Sequence, residues 1–203
     1  MKLKSKILVS FGVVCASFLS AQSVTLQVDT FGFENESNVV TDGMAWGIVI
    51  DTTGSGFADL ESSLLLPITA FPVNSSYVEL DVQSGDSGLY FYRADTDTVA
   101  GPPPFSGGYI GNVQVPVGAG TSTPVDSGQS YGLIWFSTSS ADVGDSYGFS
   151  DLGLVLPAAG SAVDISASVT AGAADLTVVP EPEAYALIAG VLGLGLAMIR
   201  RRR

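Results

Sequence analysis

Alternation of apolar and polar residues is the strongest regularity along this chain. Val24, Leu26 and Val28 occupy every second position, as do Trp46, Ile48 and Ile50, and Val113, Val115 and Val117. Val78, Leu80 and Val82 repeat the pattern with Glu79 and Asp81 on the opposite face, and Val163, Ile165, Ala167 and Val169 carry it late in the chain. A period of two places one face of a strand in a core and the other in water. Residues 89–92 and 133–136 are apolar at every position. They predict central strands covered on both sides, or strands whose outer face binds something. Turn formers separate these runs, as in Gly85-Asp86-Ser87-Gly88 and Gly118-Ala119-Gly120. Gly101-Pro102-Pro103-Pro104 predicts a stiff surface loop. The one helix-like stretch before the tail is 58–66, ended by Pro67. Eight or nine short strands with such turns predict an all-β body, a single antiparallel β-sandwich or jelly-roll domain over residues 22–178.

The two ends break the alternation. Lys2, Lys4 and Lys6 precede an apolar run over 7–19, and Ser20, Ala21 and Gln22 offer a small-residue cleavage site after Ala21. Residues 1–21 therefore read as a signal peptide, too short for a comfortable span. Cys15 lies inside it after Val14, which is not the small residue a lipidation site requires. At the other end Val179, Pro180, Glu181 and Pro182 precede an apolar run over 184–199, closed by Arg200, Arg201, Arg202 and Arg203. Sixteen residues in a helix rise about 24 Å, slightly short of a hydrocarbon core, so the flanks must anchor it. Four arginines stay on the cytoplasmic side, which puts the body outside. Pro180 and Pro182 are expected to keep their stretch extended and exposed, as a processing enzyme requires. Ala186 and Gly190, and Ala189, Gly193 and Ala197, recur at four-residue spacing, either as a packing face or as ordinary Gly/Ala content.

The order of Pro-Glu-Pro, span and basic cluster at 179–203 resembles the PEP-CTERM sorting signal of exosortase-processed bacterial surface proteins. The resemblance covers this tail alone. It implies export past a signal peptidase, an inner-membrane intermediate and cleavage by an exosortase. It also implies a final place on the cell surface or outside the cell, as an envelope or biofilm-matrix component associated with exopolysaccharide.

Removing both ends changes the charge. The body keeps one basic residue, Arg93, against 18 acids, a net charge of −17. Such a surface repels nucleic-acid phosphates and anionic lipid. It retains no cysteine, so no disulfide supports it, and its stability must come from a packed core of ordinary domain size.

The chain has no histidine, and the body has no lysine. Ser-His-Asp and Cys-His catalysis, Lys Schiff bases and His/Cys metal sites are therefore excluded from it. No phosphate-binding Gly-Lys loop or dinucleotide fingerprint follows a strand. No cofactor is expected beyond a cation. Carboxylate chemistry remains. Glu79 and Asp81 on one strand face are the candidates for a glycan-cleaving pair, or are solvated acids. Asp95 and Asp97 are spaced as oxygen ligands for Ca²⁺ but lack the remainder of an EF-hand loop, and Asp142 and Asp145 form a looser pair. Asp51-Thr52-Thr53-Gly54-Ser55-Gly56 reads equally as a calcium-loop fragment and as turn chemistry. Tyr90, Tyr92 and Trp135 are the aromatics that would stack on a sugar if exposed, or fill the core if not. The sequence reading is thus a non-enzymatic exported surface or matrix protein. A carbohydrate-binding β-sandwich is the alternative, and a carboxylate-dependent glycan-cleaving enzyme stands behind it.

Overall fold

A computed structural model describes residues 22–30, 32–60, 64–66, 77–82, 85–95, 108–118, 125–139, 142–165, 172–180 and 182–201. The proposed signal peptide, the triple-proline loop and Asp97 lie outside the described residues. The body is all-β. Its strands are β1 (Gln22–Thr30), β2 (Trp46–Asp51), β3 (Leu64–Leu66), β4 (Tyr77–Val82), β5 (Gly85–Asp95), β6 (Tyr109–Val117), β7 (Ser130–Phe136), β8 (Ser146–Val155), β9 (Ala162–Asp164) and β10 (Leu176–Pro180). A helix, α1 (Pro182–Arg201), follows.

Two layers form, but one of them is closed on itself. The strand order β6-β1-β9 makes a three-stranded sheet, and β10-β3-β4-β5-β2-β7-β8 closes into a barrel. The expected sandwich is therefore a sheet laid against the wall of a barrel. The two alternating strands with the cleanest period, β1 and β6, pair antiparallel from Gln22↔Val117 to Thr30↔Tyr109. Their inward residues Val24, Leu26, Val28, Val113, Val115 and Val117 are all buried. The facing wall is β2 and β7, which supply Trp46, Ile48, Ile50, Tyr131, Leu133 and Trp135 to the same core. A second core fills the barrel, built on Val49, Leu64, Leu80, Phe91, Phe136 and Val178. Strands β2 and β7 thus stand between two cores, which is why 133–136 reads as apolar at every position.

Two ladders are parallel where an antiparallel body was expected, β1 with β9 and β3 with β10. In the barrel this is forced by number. Seven strands closing a ring cannot all alternate in direction, so one neighbouring pair must run parallel, and β3–β10 is that pair. Curvature comes from irregular register between Trp46 and Gly47, Leu80 and Asp81, and Tyr131 and Gly132. It also comes from glycines lying under aromatic rings. A Cβ at Gly47 would collide with the Phe91 ring, and one at Gly148 with the Trp135 indole directly across the ladder.

The helix expected over 58–66 is not formed. Residues 58–60 make a turn, closed by Leu60 N–H donating to the Phe57 carbonyl at 2.9 Å, and Leu64–Leu66 extend as β3. Leu60 and Leu64 are buried in the barrel, and Tyr147 Oη donates to the Leu60 carbonyl at 2.7 Å. Three consecutive leucines are a short apolar run, which tertiary pairing resolves as a strand.

Candidate functional site

The junction between β10 and α1 is the site the sequence singles out, and its first half is part of the barrel. β10 pairs with β8 through Leu176↔Tyr147 and Thr177↔Ser146, and with β3 through Val178↔Leu64, Val179↔Leu65 and Pro180↔Leu66. Val178 is 1% exposed inside the barrel. Its N–H donates to the Asp145 carbonyl at 2.9 Å, and its carbonyl accepts from Gly144 N–H at 2.9 Å. Val179 is half-buried. The expectation of an exposed Val179-Pro180 segment is therefore corrected, because these residues are the barrel's closing strand. A proline is tolerated at the end of a strand, where the N–H it lacks is least needed.

Pro182, expected to keep its stretch extended, is instead the first residue of the helix. The helix expected over 184–199 runs from Pro182 to Arg201. The first residue of a helix has no intrahelical acceptor for its N–H, and proline's fixed φ suits that position. The large apolar side chains described in α1 are exposed: Val191, Leu192, Leu194, Met198 and Ile199 are 61–66% accessible. Arg200 is exposed beyond them, and Glu181, Arg202 and Arg203 lie outside the described residues. Among the described residues no helix is long and apolar enough to cross a membrane; the side chains at 182–188, 193, 196 and 201 are not among those described.

The three aromatics do not form a common platform. Trp135 is 2% exposed, its ring 5.3 Å from Phe33 between the layers, so it cannot meet a sugar. Tyr90 and Tyr92 face away from the barrel interior, as the alternation with Leu89 and Phe91 requires, but both are half-buried against the core between the layers. Tyr92 packs on Tyr77 at 5.2 Å, and Tyr77 Oη donates to the Pro116 carbonyl at 2.6 Å, tying the barrel to β6. Burial pushes the Tyr92 hydroxyl up from its ordinary value, and burial with the neighbouring Glu79 carboxylate does the same for Tyr90. The indole N–H groups of Trp46 and Trp135 and the Thr30 hydroxyl are buried without a partner among the described residues.

The carboxylates are distributed rather than gathered. Glu79 is exposed on β4 opposite Tyr90, and the side chain of Asp81 is not among those described. Asp95 ends β5 opposite Trp46. Among the described residues no three His, Cys, Asp or Glu gather as a metal site. Asp145 organises the β7–β8 turn, its Oδ2 accepting from Thr138 Oγ1 and Asp142 N–H at 2.8 Å each.

Asp51 anchors residues 51–56 as a turn. Its Oδ1 accepts from the N–H groups of Thr53 and Gly54 and from the Thr53 hydroxyl, each at 2.9 Å. Its Oδ2 accepts from Gly56 N–H at 2.6 Å. Burial alone would raise this carboxyl, but the donors from Gly56, Thr53 and Gly54 hold it below the ordinary carboxylate value. Both oxygens accept from the loop's own residues, three backbone N–H groups and one hydroxyl, as turn chemistry does.

One feature escapes the alternation pattern. A shallow groove of about 350 Å³ on the outer face of the three-stranded sheet is lined by Gln27, Asp29, Ile110, Asn112 and Asp164 among others. Asn112 and Asp164 flank Gln27 directly across the ladders, so one amide–amide–carboxylate row crosses the sheet. Each residue alone reads as a solvated outward position; only the pairing brings them together. No family model, curated protein or solved structure matches this chain.

Proposed function

We propose that this protein is a non-enzymatic, exported surface or extracellular-matrix protein, carried out by a signal peptide and sorted through its C-terminal tail by an exosortase. On this reading the body is the functional cargo. The tail holds it at the inner membrane until cleavage passes it to the cell surface or beyond. The observation that carries the reading is α1 itself, whose described large apolar side chains stand exposed at 61–66% and are followed in the sequence by arginines. Exposed leucine, valine and isoleucine in a helix are costly in water and favourable in lipid, while the arginines hold the cytoplasmic end. The apolar run 184–199 within that helix rises about 24 Å, slightly short of a hydrocarbon core, so its flanks must complete the span. The body's charge of −17 suits a solvated exterior surface and argues against nucleic acid as a partner.

A reporter active only in the cytoplasm tests the topology. Fused after Arg203 in a host without an exosortase, it is expected to be active; fused after Pro180, with α1 removed, it is expected to be silent. The reverse pattern would overturn the orientation.

Carbohydrate binding is the second reading. With Trp135 buried, its support moves to the groove of Gln27, Asn112 and Asp164, whose amide and carboxylate groups can pair with neighbouring hydroxyls. Binding of neutral oligosaccharides that is lost in Gln27→Ala and Asn112→Ala would favour it. No binding across a panel of neutral glycans would remove it.

A further inference from the structure

We infer that the outer edge of β6 is an interaction surface for a second copy of this chain. The two copies join their three-stranded sheets antiparallel, β6 to β6, about a two-fold axis at Asn112. The inference goes beyond the export reading and does not depend on it.

The hydrogen bonds of β1 fix where β6 points its backbone. Thr25 N–H donates to the Ser161 carbonyl at 2.9 Å, and the carbonyls of Ser23 and Gln27 accept from Gly160 N–H at 2.8 Å and Ile165 N–H at 3.0 Å. Ser23, Thr25 and Gln27 therefore turn their main-chain groups toward β9. Their partners across the other ladder are Pro116, Gln114 and Asn112. In an antiparallel pair these are the non-hydrogen-bonded positions, whose N–H and C=O both point away from the neighbouring strand. Pro116 agrees, for it has no N–H and its carbonyl accepts from Tyr77 Oη on the barrel at 2.6 Å. By the same period Ile110, Asn112 and Gln114 present their N–H and C=O groups along the outer edge. Among the described residues β6 pairs with β1 alone.

Sheet edges are ordinarily defended by charge, a bulge, proline or shortness. The other edge of this sheet, β9, is three residues long and ends in Asp164. β6 is nine residues long, keeps unbroken register from Tyr109 to Val117 and carries no charged residue. Its Pro116 protects only the end of the strand. In a body of net charge −17, an uncharged edge is where a second copy meets least repulsion.

The strand is also complementary to itself. The axis sets Asn112 against Asn112 of the second copy, and Ile110 against its Gln114. All of these present edge-directed groups, so each pair exchanges both backbone bonds. Ile110, 51% exposed, is covered by the stem of the opposing Gln114. Asp29 lies across from Ile110 and Thr25 across from Gln114, so each Asp29 shares its row with a threonine of the other copy. Asp164 flanks Gln27, and Gln27 flanks Asn112, so the two Asp164 residues stand five strand spacings apart. That is about 24 Å, well beyond the roughly 8 Å screening length at physiological salt. The contact is isologous and closes at two copies.

Cysteine cross-linking of the full chain tests this. Cys15 is the chain's one cysteine, so Cys15→Ser gives a background without thiols. Asn112→Cys and Gln27→Cys are each added to it, and the purified chains in detergent are treated with a bifunctional thiol reagent shorter than two strand spacings. Asn112→Cys is expected to link into dimers on the order of tenfold faster than Gln27→Cys, whose thiols stand three spacings or about 14 Å apart. Raising NaCl should speed the linking, because it screens two acidic bodies from each other. Gln114→Pro, added to Asn112→Cys, removes an edge N–H without touching the β1 ladder and should slow it. An Asn112→Cys chain that stays monomeric would overturn the inference, as would equal linking at 112 and 27, the pattern of a dimer held by α1 alone. Linking that falls as NaCl rises would mean an ionic contact, which this edge does not supply, and would overturn it as well.

Discussion

Replacing Asp51 tests the local physics of the body most sharply. The residue is 2% exposed, and its carboxylate accepts four hydrogen bonds, all from residues 53–56. A hydrogen bond to a charged group is worth about 1.5–3 kcal/mol net when its partners stay buried. Here the donors do not all stay buried. Thr53, Gly54 and Gly56 are exposed, so in Asp51→Ala their donor groups recover water. The loss is then about 2–4 kcal/mol rather than the full sum. At roughly 2–4 °C per kcal/mol for a domain of this size, the melting temperature should fall by about 4–16 °C. Asp51→Asn keeps the shape but turns an NH₂ toward a backbone donor, for a loss of about 1–3 kcal/mol.

The pH dependence gives the sign. Because the folded carboxyl lies below its ordinary value, ionised Asp51 contributes stability in full above the unfolded pKa of about 4. That contribution is lost as the pH falls through the lower folded value. Urea unfolding of the body, 22–180, should show a constant gap between parent and Asp51→Asn from pH 7 to about pH 5. The gap should close at more acidic pH. An alanine variant within about 0.5 kcal/mol of the parent, or a gap unchanged at pH 2, would refute the reasoning.

Gly148→Ala should cost about 1–3 kcal/mol by forcing the Trp135 indole off its seat, read as a lower denaturation midpoint; an unchanged midpoint would mean the ring can move freely. Burial pushes the Tyr131 hydroxyl up to about 12 and those of Tyr77 and Tyr147 higher still. Their contribution is therefore intact below the unfolded value of about 10 and is lost as pH rises beyond it. Phenolate absorbance from these rings should appear together with loss of the far-ultraviolet β signal, and their ionisation near pH 10 in an intact fold would contradict the packing. Millimolar Ca²⁺ should raise the body's melting temperature more than NaCl of matched ionic strength if Asp95 and Asp97 coordinate it. Equal shifts would mean simple screening.

What the sequence revealed depended on how each strand meets its core. β1 and β6 were legible because one face is buried and the other wet, so the period of two survives intact. β7 was legible as a doubly covered strand because it stands between two cores. β8 was not. Its Ser146, Ser150 and Asp151 and its two glycines obscure any period, although Tyr147 and Leu152 are buried. One of those glycines, Gly148, is there to make room for Trp135, a cross-strand requirement that no local window contains. The parallel closure of β3 against β10 follows from counting strands around a ring, and the count is visible only once the ring is known. The same holds for the tail. Val179 and Pro180 read as the start of a sorting motif, and nothing local indicates that they also complete a barrel. The Asp51 loop was recognisable as turn chemistry from its Gly and Thr content, but that both carboxylate oxygens accept bonds from its own residues is visible only in the fold.

The central claim is that residues 180–182 direct processing of an exported β-body. Its most direct test is fractionation of the full chain and its Pro180→Ala, Glu181→Ala, Pro182→Ala triple variant, expressed side by side in an exosortase-bearing host. The account predicts that the parent appears shortened, at the surface or in the medium, while the variant stays full length in the membrane fraction with its body folded and outside. A variant that matures and leaves the membrane as fast as the parent would contradict the account.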